Sequence, residues 1–489
     1  MGLYQLLPRE DRTAILEAGG RSITFRELAA DADRLGGFFS ERLGVGGRIL
    51  LLQPMGVDLY RLVSGLFAGG GTGVIIDPSM GISRAREMLG RVGVRAMAGP
   101  PLVHVFRALS PQLWPGPALS GGWVPGSVRY SEARGKGVGQ SFPPDTPALI
   151  TFTTGSTGRP KAMARSHDFL ARQHTVLAAH RGLNAEDVDL ATLPVFALSS
   201  LASGARIVLP DANLRKPASV VPDRVLAQMR REGVTTVSAS PAFLAPLADT
   251  LIHSGDTFAG LRSCFTGGAR VSAGLAAKLI HAFPNARVEV VYGSTEAEPI
   301  ATLDVREELV AMQAGEADGR GALVGRPVAE LELRVVKPGT LEQAEVGEVV
   351  VTGAHVNRSY WEDSAADAAN KLPDGEKVWH RTGDTGHLDA EGRLWLVGRV
   401  ADMVGEIHPF PVEIAAERVA GVRRAALIWD ERKSRPLLCF DGEAVDERAV
   451  VSATGIDAVL RVRTIPVDPR HNAKVNRIAL RQQVWLTHG

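Results

Sequence analysis

Residues 148–182 read ALITFTTGSTGRPKAMARSHDFLARQHTVLAAHRG: a β-branched apolar run, then a loop of glycines and small hydroxyl residues, then a run of helical spacing. This order predicts a strand that leads into the loop and a helix that follows the loop directly. Glycines permit close approach of the backbone, and exposed N–H groups, hydroxyls and a lysine are the donors that phosphate requires. The loop lacks the Walker A pattern, so its residues alone leave two alternatives, a phosphate loop and a mobile surface turn.

The alternation of apolar runs and helical segments extends to both sides of this loop. RILLLQPMG and GVIIDPS predict buried strands, and residues 25–44 predict a helix that ends at a glycine. Residues 100–144, rich in proline and glycine, predict an irregular surface excursion. HLDAEGRLWLVGR, residues 387–399, predicts a β-hairpin. The pattern as a whole predicts an α/β fold.

The chain is too long for one small compact unit. A length of 489 residues predicts at least two domains. After the predicted hairpin, residues 402–489 carry a new helix and new strands, which is enough for a small domain. We therefore expect a large domain over residues 1–401 and a small one over residues 402–489, with Asp402 at the junction.

Charge and cysteine content exclude several classes of partner. Lys and Arg total 55, Asp and Glu total 54, and the formal net charge is +1, so neither nucleic acid nor an anionic membrane is expected as the main partner. Cys264 and Cys439 lie far apart in sequence, which argues against a disulfide framework and a zinc site. No apolar run reaches the roughly 20 residues that span a bilayer. We expect a small-molecule partner and a cytoplasmic protein.

Several motifs follow one another in a familiar order. TTGSTGRPK, residues 153–161, resembles the phosphate loop of the adenylate-forming superfamily, which includes acyl-CoA ligases, nonribosomal adenylation domains and luciferases. FTGGARV resembles its adenine segment, VYGSTEAE its Y-G-x-T-E motif, HRTGDTGHLDAEGRLWLVGR its T-G-D and G-R motifs, and PRHNAKVNR its C-terminal lysine motif. The resemblance covers essentially the whole chain, and it implies a large α/β N-terminal domain with a small, mobile α+β C-terminal domain.

The resemblance implies an enzyme that binds ATP and Mg²⁺ and adenylates a carboxylic acid. Lys474 would bridge the carboxylate and the α-phosphate, Glu296 beside Thr295 would bind the metal, and these three form the implied catalytic group. Asp384 would accept hydrogen bonds from the ribose, and Tyr292 would stack on adenine. Without the resemblance, Lys474 and Glu296 would be solvated loop charges and Tyr292 a core residue. The other implied nucleotide contacts are Thr153, Thr154, Gly155, Ser156, Thr157, Gly158, Lys161, Gly267, Gly268, Ala269, Gly293, Ser294 and Arg399.

A pocket for the acid is expected before the Y-G-x-T-E motif. Its residues are apolar or small, which favours a hydrophobic acyl chain over an amino acid, although core packing would give the same residue types. Asp402 is the expected hinge, with an ordinary linker aspartate as the alternative. His167 is interpreted as a structural residue, with a base as the alternative. His471, near Lys474, is interpreted as a packed or solvated loop histidine, with a role near the acyl-adenylate as the alternative. The expected pocket residues are Phe196, Ala197, Leu198, Ser240, Phe243 and Gly268.

The junction departs from the superfamily pattern. It reads GRVADMVGEIHPFPVE over residues 398–413, with Gly405 where the second-half lysine is usual and His408 near the place of a loop glycine. Ala162 replaces the usual glycine after the lysine of the phosphate loop. In thioester-forming members the junction loop helps to admit the pantetheine thiol, so the change argues against CoA or a carrier protein as acceptor.

Two other segments resemble a subgroup of the superfamily. DLATLPVFALSSLASGARIVLPD and VDPRHNAKVNR are similar to the β-lactone synthetases of the olefin pathway and their fatty-acyl-ligase-like relatives. That resemblance implies a β-hydroxy acid whose own hydroxyl displaces AMP. The alternatives are thioester formation with CoA or a carrier protein, transfer of the acyl group to an amine, and a silent nucleotide-binding protein. Pathway enzymes or a carrier protein are the macromolecular partners considered. Against the silent protein, the charged residues Lys161, Glu296, Asp384, Arg399 and Lys474 are all present.

Overall fold

The computed structural model describes residues 2–76, 82–109, 116–135, 141–154, 160–468 and 474–487. In these residues short strands alternate with helices along most of the chain, so the predicted α/β class is confirmed. The strands are β1 (Thr13–Leu16), β2 (Ser22–Thr24), β3 (Arg48–Leu51), β4 (Thr72–Ile75), β5 (Ala96–Gly99), β6 (Ala118–Ser120), β7 (Val128–Arg129), β8 (Pro147–Thr154), β9 (Pro160–Ser166), β10 (Val188–Ala191), β11 (Arg206–Val208), β12 (Thr236–Ala239), β13 (Ser263–Gly267), β14 (Arg287–Ser294), β15 (Ala297–Asp304), β16 (Ala322–Pro327), β17 (Leu331–Val336), β18 (Gly347–Gly353), β19 (Lys371–Asp374), β20 (Lys377–Leu388), β21 (Leu394–Arg399), β22 (Val422–Asp430), β23 (Arg435–Gly442) and β24 (Val459–Arg461).

The helices begin and end where local residues supply the missing hydrogen bonds. The helix predicted over residues 25–44 is confirmed, with a reciprocal cap between Thr24 and Glu27 at its start and Gly44 after its end. The helices are α1 (Phe25–Leu43), α2 (Val57–Ala68), α3 (Ile82–Val92), α4 (Val103–Leu109), α5 (His167–Arg181), α6 (Pro194–Ala202), α7 (Pro222–Glu232), α8 (Pro241–His253), α9 (Ala273–Ala282), α10 (Val305–Ala317), α11 (Ser364–Asn370), α12 (Pro409–Glu417), α13 (Glu447–Thr454) and α14 (Arg477–Thr487).

A seven-stranded sheet carries the glycine-rich loop. Its strand order is β7-β6-β5-β3-β4-β8-β9, and the strands run parallel except for the β8–β9 hairpin. The predicted buried strands β3 and β4 are confirmed. The irregular excursion predicted over residues 100–144 was wrong in part, because α4, β6 and β7 lie there and β6 extends this sheet.

The prediction that the loop leads straight into a helix was wrong. The strand β9 lies between the loop and α5, paired with β8 so that Thr153 faces Lys161 across the hairpin. This pairing with β8 along the whole of β9 makes the segment a strand, although sequence reasoning had treated it as loop. The N–H groups of the first turn of α5 are therefore one strand length away from the loop.

The larger sheet has a parallel half and an antiparallel half. Its path is β17-β18-β20-β21-β16-β15-β14-β13-β12-β10-β11-β1-β2, with β19 paired to β20. From β11 to β14 neighbouring strands are parallel, and from β14 to β17 they are antiparallel. The hairpin predicted over residues 387–399 is confirmed as the β20–β21 pair. An apolar cluster that includes Phe243, Phe283 and Trp395 packs α7, α8, α9 and α10 against this sheet.

A small C-terminal domain follows the large one. Its strands form a separate sheet of order β22-β23-β24, and its apolar clusters are built from residues after Val404. The predicted boundary falls in a 3₁₀ turn, Val400–Asp402, which directly follows β21. The position of the boundary between 401 and 402 stays a prediction.

Candidate active site

Four neighbouring parallel strands, β10, β12, β13 and β14, end at one edge of the larger sheet. α6 begins shortly after β10, Ser240 follows β12, Gly268 follows β13, and Tyr292 lies near the end of β14. Ligands of open α/β sheets bind beyond the carboxyl ends of such strands. The sheet thus brings the predicted adenine and acyl residues to one edge.

Two glycines of the adenine segment are required by close approach and backbone conformation. A Cβ atom at Gly267 would lie 2.3 Å from the carbonyl oxygen of Val291 on β14, and Gly268 has a φ of +80°. The following Ala269 is half-buried. The neighbouring strand ends with Gly293 and Ser294, and the hydroxyl oxygen of Ser294 is buried with no hydrogen-bond partner among the described residues. This edge therefore offers a polar group that a ligand could satisfy.

The predicted ribose residues are connected to Tyr292. The Tyr292 hydroxyl donates to Oδ2 of Asp384 over 2.7 Å, and Nε of Arg399 lies 3.1 Å from Oδ1 of Asp384. Asp384 and Arg399 face each other across the β20–β21 pair. Burial and the nearby Asp384 carboxylate raise the pKa of Tyr292 well above its ordinary value, so its hydroxyl stays a donor. These three predicted residues form one hydrogen-bonded group.

The phosphate loop lies only in part among the described residues. Gly155, Ser156, Thr157 and Gly158 lie outside them, as do the side chains of Thr153 and Thr154. Lys161 is described: it is half-buried at the start of β9, and its Nζ donates to Oδ1 of Asn370 over 2.7 Å. Burial lowers the pKa of Lys161, although nearby carboxylates oppose that shift. Ala162, which replaces the usual glycine, lies in β9 and is buried.

Glu296 lies with Thr295 in the two-residue turn between β14 and β15. The carbonyl oxygen of Thr295 accepts a hydrogen bond from Arg165 of β9 over 3.0 Å, and this bond holds the turn in place. Burial opposes ionisation of Glu296, but the neighbouring His380, the Tyr360 hydroxyl and the Lys371 ammonium outweigh it and lower its pKa. The carboxylate is therefore ionised at neutral pH.

A magnesium ion fits this carboxylate. Mg²⁺ is commonly held by one or two carboxylates together with substrate phosphates, rather than by a full protein cage. Glu296 is an ionised and buried oxygen donor, and it interacts electrostatically with Lys161 at the end of the phosphate loop. Within the described ranges, no group of three His, Cys, Asp or Glu side chains is arranged to hold a metal.

Sequence reasoning missed the residues that surround Glu296. Tyr360 donates to Oε1 of Glu296 over 2.9 Å, and the buried Lys371 lies opposite the buried His380 in the β19–β20 pair. Burial lowers the pKa of Lys371 to about 8 and, together with Lys371, lowers that of His380 to about 3. The Asp374–Gly375 pair in KLPDGEKVWH is a hairpin signal that could have predicted this cross-strand pair.

The expected acyl residues lie on α6 and at the start of α8, beside Gly268. Ala197 and Phe243 are fully buried in apolar clusters, Phe196 and Ser240 are nearly so, and Leu198 is half-buried. Their role as a pocket stays a prediction. A buried arginine that sequence reasoning did not name, Arg181, lies 5.5 Å from the Phe196 ring, and Nη2 of this arginine is 3.0 Å from Asp189. Asp189 thus balances the charge of this arginine.

The C-terminal lysine motif is described from Lys474 onward, while His471 lies outside the described residues. Lys474 is exposed, and its backbone pairs with Asp468. Arg477, in the same motif, forms an ion pair of 3.1 Å with Asp402. The expected hinge, Asp402, is therefore paired with a residue that lies three positions after the expected catalytic lysine, Lys474.

The remaining predicted features have structural surroundings. His167 is buried between the Phe67 and Phe142 rings, whose centroids lie 5.4 and 4.6 Å from its own, and burial lowers its pKa to about 4. Cys264 and Cys439 are free and buried. None of the helices that the structure describes combines the length and apolar content needed to cross a lipid bilayer.

Comparison with known proteins identifies the family. Residues 5–361 match the AMP-binding enzyme family. An olefin β-lactone synthetase of Xanthomonas campestris pv. campestris is 31% identical, over 98% of this chain and 95% of its own length. An indoleacetate–CoA ligase of Aromatoleum aromaticum is 32% identical over 62% of this chain and 59% of its own length. The solved structure of an amide bond synthetase from Marinactinospora thermotolerans has the same fold, with a TM-score of 0.82 at 24% identity over 99% of this chain and 98% of that chain. The chain belongs to the AMP-binding enzyme family and is an ATP-dependent adenylate-forming enzyme.

Proposed function

We propose that this enzyme activates a β-hydroxy carboxylic acid with a hydrophobic chain as its acyl-AMP and then closes a β-lactone. The observation that carries the proposal is the similarity to an olefin β-lactone synthetase over 98% of this chain. The apolar residues of the expected acyl pocket, such as Phe196 and Phe243, favour a hydrophobic chain. Arg181 is engaged by Asp189, so it is not available to bind a second substrate carboxylate.

In the first step the substrate carboxylate attacks the α-phosphorus of ATP, and pyrophosphate leaves. Lys474 brings a positive charge to the point where the carboxylate and the α-phosphate meet. Asp384 accepts hydrogen bonds from the ribose, and Tyr292 contacts the adenine. Glu296, beside Thr295, would hold Mg²⁺, which would supply positive charge against the negative charge of the phosphates.

In the second step the β-hydroxyl oxygen of the substrate attacks the acyl carbonyl carbon. The new C–O bond closes a four-membered ring, the bond from the acyl carbon to the AMP oxygen breaks, and the hydroxyl proton is released. The sum is hydroxy acid and ATP to β-lactone, AMP and pyrophosphate. An intramolecular nucleophile has a high effective concentration and needs no external thiol.

The junction between the domains supports this second step. Val404 and Ile407 form a bridge around Gly405, which has a φ of +61°, so the junction is a tight turn without a lysine. His408 directly precedes α12, and its Nδ1 lies 3.3 Å from the Thr385 hydroxyl. The lysine that is usual in the junction loop of thioester-forming members therefore has no counterpart in this chain.

Thioester formation with CoA is the second candidate. The observation that favours it is the similarity to an indoleacetate–CoA ligase, at 32% identity over 62% of this chain. Both candidates share the acyl-AMP, and they differ only in the acceptor that displaces AMP.

The test is pyrophosphate release from ATP across a panel of fatty, β-hydroxy, aryl and amino acids, without CoA and then with it, with products identified by mass spectrometry. We expect turnover of a long-chain β-hydroxy acid without CoA and a product lighter than the acid by one water. AMP formation that waits for CoA and yields a CoA thioester would contradict lactone closure and establish the ligase.

Two lysine variants show whether the measured turnover belongs to this site. We expect Lys474→Ala to lower the rate of pyrophosphate release by about 100-fold or more, as the loss of one charge-stabilising group usually does. Lys433→Ala is the matched control, because Lys433 is an exposed lysine of the same domain. Equal rates in both variants would remove Lys474 from the mechanism.

A further inference from the structure

Two lysine ammonium groups lie against one aromatic ring beside Glu296. Nζ of Lys371 is 5.1 Å and Nζ of Lys161 is 5.3 Å from the centroid of the Tyr360 ring. A cation within about 6 Å of a ring centroid is attracted to the face of the ring. The hydroxyl of the same ring donates to Oε1 of Glu296 over 2.9 Å. Lys161 belongs to the expected phosphate loop, whereas Lys371 lies in no motif that pointed to function.

Lys371 is held by hydrogen bonds inside the protein. Its Nζ donates to the carbonyl oxygen of Asn357 and lies 3.3 Å from Nδ1 of His380. The register of β19 and β20 sets Lys371 opposite His380, and both side chains are buried. Burial of an ammonium group is costly unless hydrogen bonds replace its water. Lys371 is therefore a buried residue that links Asn357 to His380 by its side chain, and not a solvated surface charge.

These contacts continue from Lys371 to Glu296. The backbone N–H of Asn357 donates to the carbonyl oxygen of Glu296 over 2.7 Å, while the Asn357 carbonyl accepts from Lys371. The side chain of Glu296 is held separately by Tyr360, whose ring lies against the same lysine. Lys371 thus anchors the segment that fixes both the backbone and the carboxylate of Glu296.

We infer that Lys371 is a positioning residue for metal-bound ATP: it holds Asn357 and Tyr360, which fix the backbone and the carboxylate of Glu296, the residue that would bind the cation. The inference rests on the proposed role of Glu296 as the metal-binding residue. It does not depend on the acid or on lactone closure, because it concerns the nucleotide alone. A residue that orients a metal ligand typically changes metal affinity when it is removed, although it does not touch the metal.

The experiment measures ATP binding to the full chain by isothermal titration calorimetry, once with Mg²⁺ and once with EDTA. The readout is the ratio of the Kd in EDTA to the Kd in Mg²⁺, which isolates the contribution of the metal. We expect Lys371→Met to lower this ratio by about 10-fold, with the Kd in EDTA unchanged within about twofold. A general structural defect would weaken ATP binding equally in both conditions, and that outcome would overturn the inference.

A second variant tests the route of the effect. We expect Tyr360→Phe to lower the ratio as well, and the double variant to lower it no further than Lys371→Met alone, because Lys371→Met already releases the Tyr360 ring whose hydroxyl Tyr360→Phe removes. Additive losses would contradict the route. Lys377→Met is the control, since Lys377 lies on β20, the strand paired with the β19 strand of Lys371, is exposed and pairs with Glu332; its ratio should equal that of the unaltered protein.

Two further variants distinguish failure of the inference from a folding defect in Lys371→Met and from a wrong assignment of Glu296. If Lys371→Met shows no cooperative thermal unfolding, Tyr360→Phe decides, because it removes a single oxygen atom: a lowered ratio supports the inference and an unchanged ratio overturns it. An unchanged ratio in Glu296→Gln would remove Glu296 as the metal-binding residue and the inference with it. The products of the acid panel have no bearing on either result.

Discussion

The carboxyl group of Glu289 lies inside the larger sheet, on β14, with no exposed surface. Burial raises its pKa from 4.5 to about 7, and the ion pair with Arg287, at 2.9 Å, offsets only part of that shift. Between these two pKa values the folded protein binds more protons at this site than the unfolded chain. The contribution of Glu289 to stability is therefore highest at acidic pH and is lost as the pH rises through about 7.

Glu289→Gln removes this titration while keeping the shape of the side chain. We expect the free energy of unfolding of the variant, relative to the unaltered protein, to rise by about 2–3 kcal/mol between pH 5 and pH 8, since one pKa unit corresponds to about 1.4 kcal/mol. Urea unfolding of both proteins at the two pH values measures the difference. A constant difference across this range would show that the two states titrate alike at Glu289.

Single residues also show how far the site could be predicted. The residue types of the motifs identified Tyr292, Asp384 and Arg399, and the structure joins them by hydrogen bonds. Lys371 could not be found in this way, because its environment is set by Glu296 and Tyr360, which lie 75 and 11 positions away in the sequence. Functional residues that belong to one continuous motif can be recognised in the sequence. A residue whose partners lie in distant segments cannot.

Among the elements, the β8–β9 hairpin had the least predictable structure. The residues of β9 form a strand because β8 pairs with them, and their side chains show no regular alternation in burial, since Ala162 and Met163 are both buried. Without the partner strand, the sequence of this segment resembled a loop. In contrast, α1 carries its own start and stop signals, Thr24 with Glu27 and then Gly44, and its bounds were predicted closely. Helices with local caps are readable from sequence, and strands that depend on a partner are not.

The packing of α10 on the larger sheet depends on one glycine. A Cβ atom at Gly315 would lie 2.0 Å from Cη2 of Trp395, whose ring is fully buried and whose Nε1 donates to Asp389. The ring cannot move aside without losing that hydrogen bond. We expect Gly315→Ala to lower the free energy of unfolding by about 1–3 kcal/mol, as overpacked sites do, despite the better helix propensity of alanine.

Chemical denaturation of Gly315→Ala measures this cost. Val310→Ala is the control on the same helix, because Val310 is 77% exposed; its stability should stay within about 0.5 kcal/mol of the unaltered protein. If Gly315→Ala were as stable as the control, the close contact between α10 and Trp395 would be refuted.

At the level of the entire molecule, an ion pair joins the two domains close to the segment that resembles the adenine-binding motif, FTGGARV. Arg270, directly after the FTGGA segment of the large domain, pairs with Glu417 at the end of α12 in the small domain. Both side chains are mostly buried, so the pair is more than a solvated surface contact. Rotation of the small domain between steps would have to break it.

We expect Glu417→Gln to weaken this contact by about 1–2 kcal/mol, which increases the separated fraction about 5- to 30-fold. Limited proteolysis in the junction, residues 403–408, measures that fraction as a cleavage rate. Glu406→Gln, an exposed carboxylate of the junction itself, is the matched control and should leave the rate unchanged. Equal cleavage rates in the two variants would mean that the pair does not hold the domains together.

The small C-terminal domain and much of the order of strands and helices could be inferred from local patterns, although α4, β6, β7 and β9 were missed. The nucleotide-binding residues were inferred from the resemblance of their motifs to those of a family, and they stay a prediction. Burial periodicity, caps and motif spacing are properties of neighbouring residues, so the chain carries them without reference to its fold. The setting of Glu296 could not be inferred, because Lys371 and His380 are brought together by the pairing of β19 and β20, and Tyr360 reaches Glu296 from the segment between β18 and α11. Folding brings distant segments together and removes water from their charges, and both effects are absent from the linear sequence.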